Sequence, residues 1–275
     1  MKYLSHIWIL FLIGCTDTTI DLPPGKSTVV VEGWITDQSN QHWVKVSRST
    51  RFRDTKTEII ISDATVIIED NSDQYPLTFH NELGIYQTST FAGLRGNSYR
   101  VIITLVDGSE ITSSWEELNN VSPIDDLQFD TYEDRDPDTG ENIIVYYPIV
   151  ISQDPLEEQN QYRYKGFRNA IALNKPEELI LLSDEFNNGE ILPQHIPEFR
   201  LGLGDEITIE MHSLSLPAFR FLELLRSQTT SLGSSSGTAP AKLVGNLTYT
   251  NRQDDIVIGF FGASSIATAT AIVTE

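Results

Sequence analysis

Few side chains in this sequence stand at spacings that do chemistry. An acidic run, Asp134-Arg135-Asp136-Pro137-Asp138-Thr139-Gly140-Glu141, opens with the alternating aspartates of a calcium loop. Such a loop carries glycine at its sixth position and a closing glutamate at its twelfth. Counted from Asp134, those positions hold Thr139 and Val145. Asp134, Asp136 and Asp138 are therefore a metal candidate that fails the pattern twice, and the run reads as a hairpin with Gly140 at positive φ. Four histidines follow the first fourteen residues: His42, His80, His195 and His212. No two share the short spacing of a zinc site. Neither His-Glu-x-x-His, nor Gly-x-Ser-x-Gly, nor a Walker loop is present. Gly202-Leu203-Gly204 lacks the strand-then-helix setting of a nucleotide fingerprint and reads as a turn before a strand at Glu206. Tyr146, Tyr147, Tyr162 and Tyr164 could offer an aromatic platform to a sugar or peptide, but tyrosines at alternate strand positions more often pack on a neighbouring sheet. No catalytic residue and no cofactor is expected. Carboxylates are abundant, but a general acid is recognised by its pocket, not by its abundance.

The 275 residues include a single cysteine, Cys15. That excludes an intramolecular disulfide and a cysteine-based zinc site. Nineteen basic against 39 acidic residues give a formal net charge of −20. A surface so acidic is unsuited to nucleic acid, which needs a positive face, and to anionic lipid as a partner held by charge alone. At 40% hydrophobic and 21% charged, the composition is that of a globular chain long enough for one or two cores.

The surroundings of Cys15 give it a role. Lys2 precedes the unbroken apolar run Ile7-Trp8-Ile9-Leu10-Phe11-Leu12-Ile13. That run is far short of the ~20 residues of a membrane-spanning helix and matches a secretory signal. Leu12-Ile13-Gly14-Cys15 resembles the lipobox of a bacterial lipoprotein signal. The resemblance implies cleavage of residues 1–14 and acylation of Cys15, by palmitate among other chains. Each buried methylene would add about 0.8 kcal/mol to membrane retention. Residues 15–26 read as a polar lipidated tether ending in Pro23-Pro24-Gly25. Asp17 and Asp21 resemble the acidic surface-export signals of Bacteroidetes lipoproteins.

From Lys26 onward the pattern has period two. Val29 to Ile35, Trp43 to Arg48, Ala64 to Asp70, Leu77 to His80, Gly84 to Thr88 and Ser98 to Leu105 read as short strands. Asp107-Gly108 marks a hairpin into Glu110-Ile111-Thr112-Ser113. This spacing predicts a β-sandwich over residues 27–120, and its order resembles immunoglobulin-like and transthyretin-like domains of secreted bacterial proteins. A junction rich in Asn, Ser and Pro at 119–127 opens a second, mainly antiparallel β domain over 121–275. Its strands include Leu127 to Tyr132, Ile143 to Ile151, Tyr162 to Phe167, Glu206 to His212, Leu243 to Thr250, Ile256 to Phe261 and a closing Ile266 to Val273. Within it, Phe219, Leu222 and Leu225 behind Pro217 predict one amphipathic helix over 217–228, packed on the second sheet. The fold class expected is all-β.

Four phrases, in this order, resemble one family. They are Val30 to Asp37, Ser122-Pro123-Ile124-Asp125-Asp126, Gly204 to Ile209, and Asp255 to Ser264. The family is the domain of unknown function DUF4249 of Bacteroidetes lipoproteins. The resemblance implies an outer-membrane lipoprotein, often encoded beside a TonB-dependent transporter, and carries over no catalytic residue. The function expected is a non-enzymatic accessory protein anchored through Cys15, binding a ligand or partner of such a transport system. An envelope hydrolase of glycan or peptide, with its site between the domains, and a structural or adhesion protein are the alternatives.

Overall fold

In the computed structural model, residues 27–274 are described apart from 51–57, 137–138, 154–159, 185–190, 232–242, 244 and 253–254. The chain forms β1 (Val29–Thr36), β2 (Asn40–Ser49), β3 (Glu58–Ile60), β4 (Thr65–Glu69), β5 (Gln74–Pro76), β6 (Thr78–His80), β7 (Ile85–Phe91), β8 (Ser98–Thr104), β9 (Glu110–Ser113) and β10 (Glu116–Glu117). Then come β11 (Asp126–Arg135), β12 (Asn142–Gln153), β13 (Gln161–Arg168), β14 (Ile171–Leu173), β15 (Ile180–Ser183), β16 (Ile191–His195) and β17 (Glu206–Leu214). The helix α1 (Leu216–Ser231), β18 (Leu247–Tyr249), β19 (Val257–Ser264) and β20 (Ile266–Ile272) complete the fold, which is all-β apart from α1 and a 3₁₀ turn at Pro176–Glu178.

Two sheets face each other in the first part. One runs β19-β1-β2-β7-β6 with β3 on β2; the other runs β18-β9-β8-β4-β5 with β10 on β8. Alternation explains the packing. Val29, Val31 and Ile35 of β1 point inward against Val66 and Ile68 of β4 and Val101 and Ile103 of β8, all buried in one core. Residues 27–120 do not complete this unit. The end of the chain returns to supply β18, paired with β9, and β19, paired parallel with β1 from Val29↔Val257 to Thr36↔Ser264. Gly259 makes that pairing possible. Its φ is +114°, and a Cβ there would lie 1.9 Å from the Val31 carbonyl oxygen.

The second part holds a three-stranded sheet, β11-β12-β16, and a five-stranded one, β14-β13-β17-β20 with β15 on β13. Tyr146 and Val150 of the first meet Tyr162, Tyr164, Ile207, Ile209 and Met211 of the second in a separate core. The helix begins one residue earlier and ends three later than its periodicity predicts. Ser215 caps it, with the Ala218 amide donating to Ser215 Oγ at 3.2 Å. It packs on more than the second sheet. Phe219 and Leu222 share a buried cluster with Leu214, with Phe260 of β19 and with partly buried Trp34 of β1, so α1 bridges both units.

The two units meet where β19 passes into β20 across one residue, Ser265. Ser213, Ser264 and Ser265 are all but inaccessible, at 2%, 0% and 0% exposure. Trp34 Nε1 donates to Ser264 Oγ at 2.9 Å, and Ser264 Oγ donates to the Ser213 carbonyl. The Ser265 amide donates to Ser213 Oγ at 2.9 Å, and Ser213 Oγ donates to the Asn119 carbonyl at 2.8 Å. Serine suits this node because one small hydroxyl donates and accepts at once. Asp37 braces the same point, accepting Arg95 Nη2 at 2.7 Å and the Ile266 amide at 3.0 Å.

Two stability measurements check these assignments. Ser213→Ala orphans the Ser265 amide and should cost about 1–3 kcal/mol in a denaturant titration; an unchanged midpoint would remove the node from the account. In the β13–β14 hairpin, Asn169 and Ala170 both have positive φ, 51° and 64°. Glycine is the better second residue of such a turn, so Ala170→Gly should stabilise by about 0.5–1 kcal/mol. A loss would show that chain entropy outweighs the relieved strain.

Candidate functional site

Asp134 and Arg135 of the acidic run end β11, and Glu141 leads into β12, its antiparallel partner. Asp136 Oδ1 accepts the Thr139 amide at 3.0 Å, the Gly140 amide donates to the Asp136 carbonyl at 2.8 Å, and Gly140 has φ +73°. The Asp134 carboxylate is held by Arg200 Nη2 at 2.9 Å. Asp138 lies outside the described residues, as does Cys15. Among the described residues, no group of three or more His, Cys, Asp or Glu side chains could hold a metal ion. Gly202 to Asp205 is a turn: the Gly202 amide donates to Asp205 Oδ2 at 2.8 Å and the Asp205 amide to the Gly202 carbonyl at 3.1 Å.

The four tyrosines do not share a surface. Tyr146, Tyr162 and Tyr164 belong to the second core. Tyr147 points the other way, and its ring lies 5.5 Å from that of Tyr132 on the outer face of the three-stranded sheet. Strand pairing brings Asp130 opposite Tyr147 and His195 opposite Ile149, so His195 Nδ1 meets Asp130 Oδ2 at 2.9 Å on that face. His42 is structural. It is buried, Nε2 donates to the Phe91 carbonyl at 3.0 Å, and burial lowers its pKa.

A group of four ionisable side chains lies on the five-stranded sheet, on the face turned away from the second core. Antiparallel pairing sets Arg163 opposite His212 and Lys165 opposite Glu210. Directly opposed residues share a face, so all four project together while Tyr162, Tyr164, Ile209 and Met211 fill the core behind them. Arg163, Lys165 and Glu210 are half-buried, and His212 is 3% exposed. Leu181, opposite Arg163 on β15, packs into the cluster under α1, so the helix closes one side of the group.

Burial governs the electrostatics here. It pushes the His212 pKa down to about 4, with Lys165 and Arg163 adding to the shift and the hydrogen bond to Glu210 opposing it. His212 is thus neutral at pH 7, and its Nε2 donates to Glu210 Oε2 at 2.8 Å. That bond holds the Glu210 carboxyl below the usual range, ahead of the nearby cations. Burial, reinforced by Arg163, brings the Lys165 ammonium down to about 8. Burial also lowers Arg163, against the pull of Glu210. A neutral histidine oriented by a carboxylate can act as a base, and a lysine of lowered pKa is a better nucleophile than a free one. Alternation along Tyr162 to Phe167 and Glu206 to His212 put each pair on one strand face; the register joining the two strands was invisible in the sequence.

The linkage sign is definite. A base whose folded pKa is depressed stabilises the fold fully above its unfolded value and loses that contribution as pH falls. Between about pH 6.5 and 4 the wild type should therefore lose stability more steeply than His212→Gln, as read from denaturation midpoints. Parallel curves for the two proteins would contradict the buried neutral state.

Among the described residues, no helix is long and apolar enough to cross a membrane. No curated protein matches the chain. The family model described as Domain of unknown function (DUF4249) matches residues 16–270, and the match runs from before β1 into β20, across the junction and the helix. The chain therefore belongs to the DUF4249 family.

Proposed function

We propose that this protein is a lipid-anchored accessory protein of the outer membrane that works by binding a ligand or a partner of a TonB-dependent transport system. One observation carries the reading: the lipobox-like Leu12-Ile13-Gly14-Cys15 stands a short polar stretch ahead of β1, which opens the folded body at Val29. Residues 15–26 have a fully extended reach of about 40 Å. Acyl chains on Cys15 would hold such a body at the membrane while the tether lets it meet a neighbouring protein. Its acidic surface disfavours direct contact with anionic headgroups, which leaves the lipid as the attachment.

A second reading, an envelope hydrolase, draws on the two histidine–carboxylate pairs, His212–Glu210 and His195–Asp130. Either pair could supply an oriented base. Turnover of glycan or peptide substrates by the purified protein, abolished by His212→Gln or His195→Gln, would favour it over the binding role.

The anchor is tested in the native cells. Wild type should partition with outer membranes and co-purify, in mild detergent, with a TonB-dependent transporter. Cys15→Ala should appear in the soluble fraction and lose that partner. A Cys15→Ala protein that stays on the membrane would sink the lipid anchor, and a wild type recovered alone would sink the transporter partnership.

A further inference from the structure

Arg163 and Lys165 leave β13 on the same face, two residues and about 6.7 Å apart along the strand. Both are half-buried. Among the described residues, neither side chain makes an ion pair within 4.0 Å or a hydrogen bond, and Arg163 Nε is fully buried without a hydrogen-bond partner. The carboxylate that acts on them, Glu210, directs an oxygen to neutral His212 instead. Buried cations are ordinarily paired, because removing a charge from water without a counter-charge costs several kcal/mol. Here two cations face one carboxylate, so the group as it stands carries a single excess positive charge inside a chain of net charge −20.

We propose that Arg163 and Lys165 form a binding site for the carboxylate of a small monoanionic ligand. A guanidinium presents two parallel N–H donors that match the two oxygens of a carboxylate, and an ammonium beside it adds a third donor. The charge selects among anions. A monoanion neutralises the one excess positive charge, whereas a dianion such as sulfate would overshoot it and face Glu210. Glu210 with its His212 donor then holds the Lys165 side of the site. Leu181, at the edge of the helix cluster, gives the ligand an apolar wall beside the Arg163 end. The site goes beyond the accessory role proposed above and does not depend on the lipid anchor, since its atoms are remote from Cys15 in sequence and are tested without a membrane.

The test uses the full chain in mild detergent, titrated with acetate and, separately, with inorganic sulfate at pH 7.5. The readouts are thermal midpoint and the pH dependence of Lys165 acylation, located by peptide mapping. Acetate should give a saturable rise in midpoint and should move the Lys165 titration upward from about 8, because a bound anion favours the charged amine. Sulfate should bind at least tenfold more weakly. Arg163→Met and Lys165→Met should each weaken acetate binding at least tenfold. Both variants remove a half-buried charge, so their midpoints without anion should equal or exceed that of wild type, which separates lost binding from lost folding. No saturable response to acetate, a response in both variants equal to that of wild type, or sulfate binding as tight as acetate would each overturn the proposal. A null result here leaves the membrane fractionation of Cys15→Ala unaffected, so the two proposals fail separately.

Discussion

Three buried serines, Ser264 and Ser265 at the passage from β19 to β20 and Ser213 of β17, tie the two parts of the molecule at one point. Ser264 ends a strand of the first sandwich, and Ser265 lies immediately before a strand of the second. Through Trp34, Ser213, Asn119 and Asp37, their hydrogen bonds tie β1, β17 and the junction segment to one point. Bonds buried this deeply cannot be exchanged for bonds to water, so breaking one leaves an orphan in a dry site. The parallel pairing of β1 with β19 fixes the first sandwich, and the antiparallel pairing of β17 with β20 fixes the second. Neither sheet can shift register without pulling on the other through Ser265.

The same constraint places the helix. Glu116 is buried and accepts the Ser215 hydroxyl and, at 3.0 Å, Asn246 Nδ2. Burial raises its pKa, and these donors partly offset that cost. Ser215 is also the residue that caps α1, so one hydroxyl joins β10 to the first turn of the helix. With its start fixed there, α1 lays Phe219 and Leu222 over Leu214 and Phe260, across the seam between the units. The four ionisable side chains on β13 and β17 sit beside the cover this provides. Their burial, and with it the neutral state of His212 and the lowered Lys165, follows from the position of the seam.

Much of this was legible in the residues. Period-two alternation located β1, β2, β4, β8 and β17, and the helix ends differed from prediction by one and three residues. Gly140 in the β11–β12 hairpin and the Gly202–Asp205 turn occupy the conformations their local sequence demands. Two of the phrases that resemble the family are neighbours in space: Val30 to Thr36 pairs with Ile258 to Ser264 along the parallel ladder, while Gly204 to Ile209 leads into the strand that pairs with β20. That adjacency was not legible, because β1 and β19 lie at opposite ends of the chain. For the same reason the first sandwich borrows two strands from beyond residue 240. The tyrosines dispersed because alternate positions on β12 and β13 face opposite sides of their sheets, and three of the four point into the core.

By itself the sequence determined what depends on neighbours along the chain: strand periodicity, turn chemistry, the capped helix, the acidic charge balance and the lipobox-like phrase at Cys15. Side-chain alternation, φ restrictions and charge count are local properties, so one chain read in order contains them. The tertiary structure decided which strands meet and in what register. Register is set by the joint burial of residues dozens to hundreds of positions apart, and that burial brings Arg163 beside His212 and Lys165 beside Glu210. A one-residue slip of β17 against β13 would turn Glu210 and His212 into the core and dissolve the cluster. The placing of these four side chains therefore resides in a register that no stretch of the sequence records alone.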